Sequence, residues 1–299
     1  MTEGGMDMQF ELKYGEAKGI VETHGGELVS FQDKEGKEYI WSGDPAYWTG
    51  RNPNLFPVVG NLKGGAVTIE GKEYKMGRHG FARNSEFTVA EQGDDYIVFE
   101  LCESEETLKV YPFKFSFQIV HRLNENGFST EYRVKNTGDQ VLPYCVGAHT
   151  AFNCPMNEGE KFEDYVLEFE KEEDAPTILL SERGLFMNGD TEPMLSGTVL
   201  PLDYSVYARL DTVVFRGLNS NKVSLKHKVT GHGVQMEFEQ FPMIAFWTKG
   251  AEHAPYICLE PWHGCAGYEN ETGNIMDKPH VICLQPGESK SLKYTVEVI

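Results

Sequence analysis

Long apolar runs are missing from this 299-residue chain. None approaches the ~18–20 residues that a bilayer-crossing helix needs, so the sequence predicts no membrane partner. Basic charge is scarce: 27 Lys and Arg stand against 46 Asp and Glu, a net charge of −19. Nucleic acids and anionic lipid surfaces both reward a basic face, so neither is expected as a partner. The six cysteines (Cys102, Cys145, Cys154, Cys258, Cys265, Cys283) form no C-x-x-C and no repeated close pairs. The opening stretch MTEGGMDMQF has neither a basic n-region nor an apolar h-region. Together these predict a cytoplasmic chain with free buried thiols rather than a disulfide framework. Sustained helical periodicity is nearly absent, as are Pro/Ser-rich linkers, composition breaks and internal repeats.

What is present is alternation. With 40% hydrophobic residues the chain has ample material for a core. YPFKFSFQIV puts Phe113, Phe115, Phe117 and Ile119 on one face, and FSTEYRVKN does the same with Phe128, Thr130, Tyr132 and Val134. LNENG and NTGDQ supply turns. FQDKEGKEYIW and VTIEGKEYKM read as strand, Gly-containing turn, strand, and KVSLKHKVTGHGVQMEFEQF as a hairpin turning at Gly231 to Gly233. SLKYTVEVI closes the chain as a strand. One short helical turn is expected at SEETLKVYPF, capped by Ser104 and ended by Pro112. Many short strands with turns every ~8–12 residues predict a single large all-β domain, a sandwich or barrel, over 9–299.

On such sheets a site is scattered in sequence, so polar residues embedded in apolar runs are the ones to find. His24, His121, His227, His232, His253 and His280 read as structural. His79, His149 and His263 stand among glycines or other unusual residues. His79 lies in MGRHGFARN between Gly77 and Gly80, flanked by Arg78 and Arg83; His149 interrupts the apolar run VGAHTAFNCP. Glu260 lies in YICLEPWHG, where a strand would put Tyr256, Cys258 and Glu260 on one face. A carboxylate there must be paired, hydrogen-bonded or facing a polar pocket. Arg51 opens the irregular RNPNLFPVVGNL and offers a rigid fork to a hydroxyl, carboxylate or phosphate. Residues 51–83 carry six basic side chains against two acidic ones, a local balance of +4 that would suit an anionic ligand.

Cys145, His149 and Cys154 cluster in sequence, as do Cys258, Glu260, His263 and Cys265. None of these spacings is that of a zinc knuckle or helical His pair, so no metal is expected. No serine occupies a G-x-S-x-G elbow. What remains is a buried carboxylate, two histidines and an arginine, the parts of an acid–base site for a neutral polyol or sugar.

RNPNLFPVVG, GRHGFAR, GAHTAFNCP and LEPWHG, in this order, resemble the aldose 1-epimerase (galactose mutarotase-like) family, most closely its smaller bacterial branch of related proteins. The resemblance spans about Gln9 to Ile299. It implies a β-supersandwich of two large antiparallel sheets with a sugar cleft on one concave face. It also implies Glu260 as catalytic base, His149 as general acid, and His79 and Arg51 as substrate-positioning groups. Asp211, in RLDTVVFRGL, corresponds more loosely to a sugar-binding aspartate. The activity implied is anomer interconversion of an aldose by ring opening and closure, with no cofactor or metal. Arg78 and Arg83 leave open a phosphorylated or acidic sugar as substrate, and a non-catalytic carbohydrate-binding protein is the third reading.

Overall fold

Alternation decides which side chains turn inward. In the computed structural model, which describes residues 8–299, the strand Phe115–Asn124 buries Phe115, Phe117, Ile119, His121 and Leu123. Its neighbour Gly127–Asn136 buries Phe128, Thr130, Tyr132 and Val134. The first seven residues of the opening stretch lie outside the described part. Strands of this kind assemble into two large antiparallel sheets. The nine-stranded sheet begins at Phe186–Pro201 and Tyr165–Leu180. It continues through Lys222–His227, Gly233–Glu237, Ser289–Val298, Gly127–Asn136 and Phe115–Asn124 to Tyr96–Cys102 and Thr88–Gln92. The six-stranded sheet runs Thr212–Arg216, Met243–Trp247, Tyr256–His263, Val146–Ala148, Asn54–Leu55, and Thr150–Asn153 also pairs Tyr256–His263.

The main core fills the space between these sheets. Val213, Phe215, Ile244, Phe246, Ile257 and Leu259 face inward from the six-stranded sheet and join Phe117, Phe169 and Tyr132 of the other. Because the period is two, Trp247, Cys258, Glu260 and Trp262 point the opposite way, and that outer face carries the cleft. Two buried asparagines from RNPN tie the core together. Tyr132 donates to Asn54 Oδ1 at 2.8 Å, and Thr150 donates to Asn52 Oδ1 at 2.7 Å. His121 is fully buried and satisfied at both ring nitrogens, by the Gly26 carbonyl and the Thr130 hydroxyl.

The expected helical turn is Glu105–Val110, with the Ser104 side chain accepting from the Thr107 N–H. The hairpin Ala66–Ile69 with Lys72–Lys75 also forms as its sequence predicts. FQDKEGKEYIW instead gives one strand edge and an isolated bridge from Gln32 to Glu38, because Asp33 captures the backbone N–H groups of Glu35 and Lys37. A second helix, Tyr204–Leu210, is not anticipated by the periodicity; Asp203 caps it. All six cysteines are free, four of them buried and Cys102 and Cys283 exposed. No helix among the described residues is long and apolar enough to cross a membrane.

Candidate functional site

Strand register brings the two central side chains together. Gly147 pairs with Trp262 and Thr150 with Leu259. The same register, carried across the break between Val146–Ala148 and Thr150–Asn153, sets His149 opposite Glu260. Directly opposed antiparallel residues point to the same face with Cβ atoms about 4.5–5.5 Å apart. His149 Nε2 and Glu260 Oε1 accordingly lie 3.3 Å apart, with the side chains 10% and 2% exposed.

Around this pair is an open cleft that Glu260 and His149 line together with Arg78, His79, Arg83 and Asp211. Trp48 and Trp247 wall the imidazole, their rings 4.9 and 5.5 Å from that of His149. Arg78, His79 and Arg83 enter from the loop preceding and including the short 3-10 turn Ala82–Asn84. Gly80 allows that loop its course: it has φ +74°, and a Cβ there would fall 2.2 Å from the Phe56 carbonyl oxygen. His79 itself is held at φ +65°, an uncommon backbone for a residue other than glycine. Its Nδ1 accepts the Gly60 N–H at 3.1 Å. The proton of the neutral ring is thereby assigned to Nε2, leaving that atom as a donor. Asp211 ends the helix Tyr204–Leu210 at φ +62° and reaches the cleft, where Oδ1 accepts from Trp247 Nε1 and Oδ2 from the Thr212 hydroxyl. The tip of the long hairpin Tyr165–Leu180 and Phe186–Pro201 closes one side with Leu180, Gly184 and Phe186.

Burial governs the charges. It pushes the Glu260 carboxyl well above its usual range, opposed by the Trp262 indole and by Arg78, and reinforced by Asp211. Burial, with Arg83 and Arg78 adding repulsion, lowers His149 to about 3. His79 is lowered for the same reasons, with His149 a further contributor. Loss of hydration disfavours charge on either member of the pair, so in the sugar-free cleft the proton they share rests on Glu260. His149 Nδ1 is buried without a partner. Arg78 donates from Nε to Asn61 Oδ1 at 3.0 Å. Neither Arg78 nor Arg83 has a described carboxylate within ion-pairing distance.

The structure thus gathers Glu260, His149, His79, Arg78, Arg83 and Asp211 and leaves Arg51 out. Arg51 donates from Nε to the Ser42 carbonyl at 3.0 Å, and its own carbonyl accepts the Ala151 N–H. Its side chain lines a separate groove with His24, Glu27 and Asn84, which shares only Trp48 and Arg83 with the cleft. Arg51, expected from the sequence to position substrate, thus lines a groove beside the cleft, with its guanidinium bonded to the Ser42 carbonyl. His263 is not in the cleft either; its Nδ1 is bonded to the His280 carbonyl. Sequence reasoning missed Trp48 and Trp247, which stand in a loop and a strand with no local feature marking them. Trp262 was missed as well, although its place in LEPWHG, two residues beyond Glu260 and so on the same face, was a signal that could have found it. Neither cysteine cluster in the sequence survives as a unit. Instead Cys258, His149 and Glu260 come together from neighbouring strands.

The aldose 1-epimerase family profile matches residues 8–297. Among curated proteins, the plasmid-encoded Protein LacX of Lactococcus lactis subsp. lactis is 36% identical across 98% of this chain and 100% of its own length. Among solved structures, a galactose mutarotase related enzyme from Lactobacillus acidophilus superposes with a TM-score of 0.93 at 29% identity, covering 98% of this chain and 97% of that one. A galactose mutarotase-like protein from Lactobacillus casei ATCC 334 gives 0.90 at 28% identity, covering 98% and 100%.

Proposed function

Since the chain belongs to the aldose 1-epimerase family, we propose that it interconverts the α and β anomers of an aldose, with residues 9–299 acting as one catalytic domain. The observation that carries this reading is the adjacency of Glu260 and His149. Ring opening removes a proton from the anomeric hydroxyl and adds one to the ring oxygen. Both oxygens are bonded to the same carbon, so the base and the acid must stand side by side. Passing the shared proton from Glu260 to His149 creates a carboxylate base and an imidazolium acid without exchanging a proton with solvent. Glu260 then takes the hydroxyl proton while His149 protonates the ring oxygen. The open aldehyde rotates about its C1–C2 bond, and closure on the other carbonyl face reverses both transfers. His79 Nε2–H and the Asp211 carboxylate are suited to hold sugar hydroxyls, and Trp48 and Trp247 offer apolar faces to the ring. The reaction as written needs no cofactor. Anomer exchange followed by NMR over a panel of free aldoses tests it. No acceleration over buffer with any of them, nor with their phosphates, would overturn the reading.

A second reading is favoured by one observation: two guanidiniums line the cleft without carboxylate partners among the described residues. A sugar bearing phosphate or carboxylate would supply the missing counter-charge. Arg78→Ala or Arg83→Ala should then slow exchange of a sugar phosphate far more than that of its free sugar, with a stronger dependence on salt. Equal losses on both would assign these arginines to bracing the loop that carries His79.

A further inference from the structure

The outer face of the six-stranded sheet joins three side chains that sequence spacing does not. Cys258 precedes Glu260 by two residues and shares its face, and His149 opposes Glu260 on the adjoining strands. A ring nitrogen of His149, Cys258 Sγ and a carboxylate oxygen of Glu260 all lie within 4.8 Å of one another, and all three residues are buried. We propose that this trio is a site for a soft divalent cation, Zn²⁺ or Cd²⁺, entered from the cleft, and that the bound ion closes the cleft to sugar.

The geometry is near what such an ion requires. Tetrahedral zinc bound to sulfur, nitrogen and oxygen at ~2.0–2.3 Å sets its ligand atoms roughly 3.3–3.8 Å apart. His149 Nε2 and Glu260 Oε1 are already separated by 3.3 Å. The thiol, within 4.8 Å of both, needs only to close to ligand spacing to complete the set. The unpartnered Nδ1 of His149 means that no second hydrogen bond locks the ring against this adjustment. His149 and Glu260 line the cleft, so an ion held by the trio is reached from that side, and three protein ligands leave a fourth position free, as in open zinc sites. Charge balances as well: Zn²⁺ replaces the thiol proton of Cys258 and the proton shared by Glu260 and His149, and two protons leave to solvent. Arg78 and Arg83 oppose a hard cation that cannot draw on the thiol, which selects Zn²⁺ and Cd²⁺ over Mg²⁺ and Ca²⁺. Occupancy rests on geometry alone; blockage of turnover rests on the ring-opening reading above.

The test is direct titration of the purified 299-residue chain with Zn²⁺, Cd²⁺ and Mg²⁺ against a chromogenic chelator. One Zn²⁺ or Cd²⁺ should bind per chain, and Mg²⁺ should not. Cys258→Ser, a small swap at a residue behind the cleft wall, should weaken Cd²⁺ and Zn²⁺ by at least about tenfold, since even an outer-shell change costs that much. Metal-free Cys258→Ser should exchange anomers at close to the wild-type rate and lose its inhibition by Zn²⁺. Co²⁺ bound to the wild-type protein should show a thiolate-to-metal charge-transfer absorption that is missing from the variant. Absent binding, equal affinity in Cys258→Ser, or a cobalt spectrum without the thiolate band would each overturn the site. If the variant does not fold, the wild-type cobalt spectrum decides. A wild-type protein that binds Zn²⁺ through Cys258 but never exchanges anomers would support the metal site and sink only the catalytic reading.

Discussion

Glu260 and His149, 3.3 Å apart and buried, should titrate as one coupled pair. The doubly protonated pair forms only as pH falls to about 3, the value to which burial lowers His149. The proton-free pair waits until pH passes the raised value of Glu260, well above the ordinary 4.5. The profile of kcat/KM should therefore stay level between 4.5 and 6.5, the ordinary values of the two groups, with its limbs outside that window. A limb at pH 6.5 would show an imidazole that titrates as if free. Glu260→Gln and His149→Asn should each reduce anomer exchange by at least ~10², the lower end for a general acid or base. The double variant should be little worse than either single, because each removes the same coupled step. Arg51→Ala, in contrast, should leave exchange nearly unchanged, since its guanidinium is bonded to the Ser42 carbonyl outside the cleft; a loss above tenfold would bring Arg51 back to the substrate. His149 and Glu260 were legible in the sequence because an ionisable group in an apolar strand is costly unless something faces it. Arg51 was not placed as readily, because a guanidinium in an irregular segment finds a backbone carbonyl as readily as a ligand.

Strands and loops deliver these side chains with different tolerances. The strand Val146–Ala148, which leads into His149, approaches Tyr256–His263 so closely that a Cβ on Gly147 would lie 2.8 Å from both the Pro261 carbonyl oxygen and Trp262 Cδ1. Gly147→Ala should push the two strands apart. Overpacking of this kind costs roughly 1–3 kcal/mol, and here it also separates the acid from the base. The expected result is a lower urea midpoint together with an exchange rate down by more than the stability loss explains. Full activity in a destabilised Gly147→Ala would mean that the pair tolerates a looser register. Asp211 shows the opposite dependence on a loop: a short helix unannounced by periodicity ends at φ +62° and turns the carboxylate toward Trp247 and Thr212. Seven residues make too few turns to leave an amphipathic signature, so that element was not readable in advance.

Across the whole molecule, buried neutral histidines and buried protonated carboxylates pull stability in opposite directions. His79, His121 and His149 are all lowered, His121 to about 4, and His263 and His280 shift the same way. The unfolded chain takes up these protons below about pH 6.5 while the folded chain refuses them, so their contribution is lost as pH falls. Glu27, raised to about 7, and Glu260 hold protons in the folded state that the unfolded chain releases above about 4.5, and their effect runs the other way. The histidines outnumber the carboxylates. Urea unfolding should show stability declining gently from pH 6.5 to 4.5 and more steeply below, where the two carboxylates no longer oppose; stability that rises on acidification to 4.5 would refute this balance. By itself the amino-acid sequence determined the all-β character, the free thiols and the two groups that stand at the centre of the candidate site, because period-two alternation and the cost of burying charge act locally. Only the tertiary structure decided which residues meet. The pairing of His149 with Glu260, the arrival of Cys258 beside them and the tryptophan walls follow from register between strands more than a hundred residues apart in some cases. That register is set by burying one face of each sheet against the other, a condition that no single segment can satisfy alone.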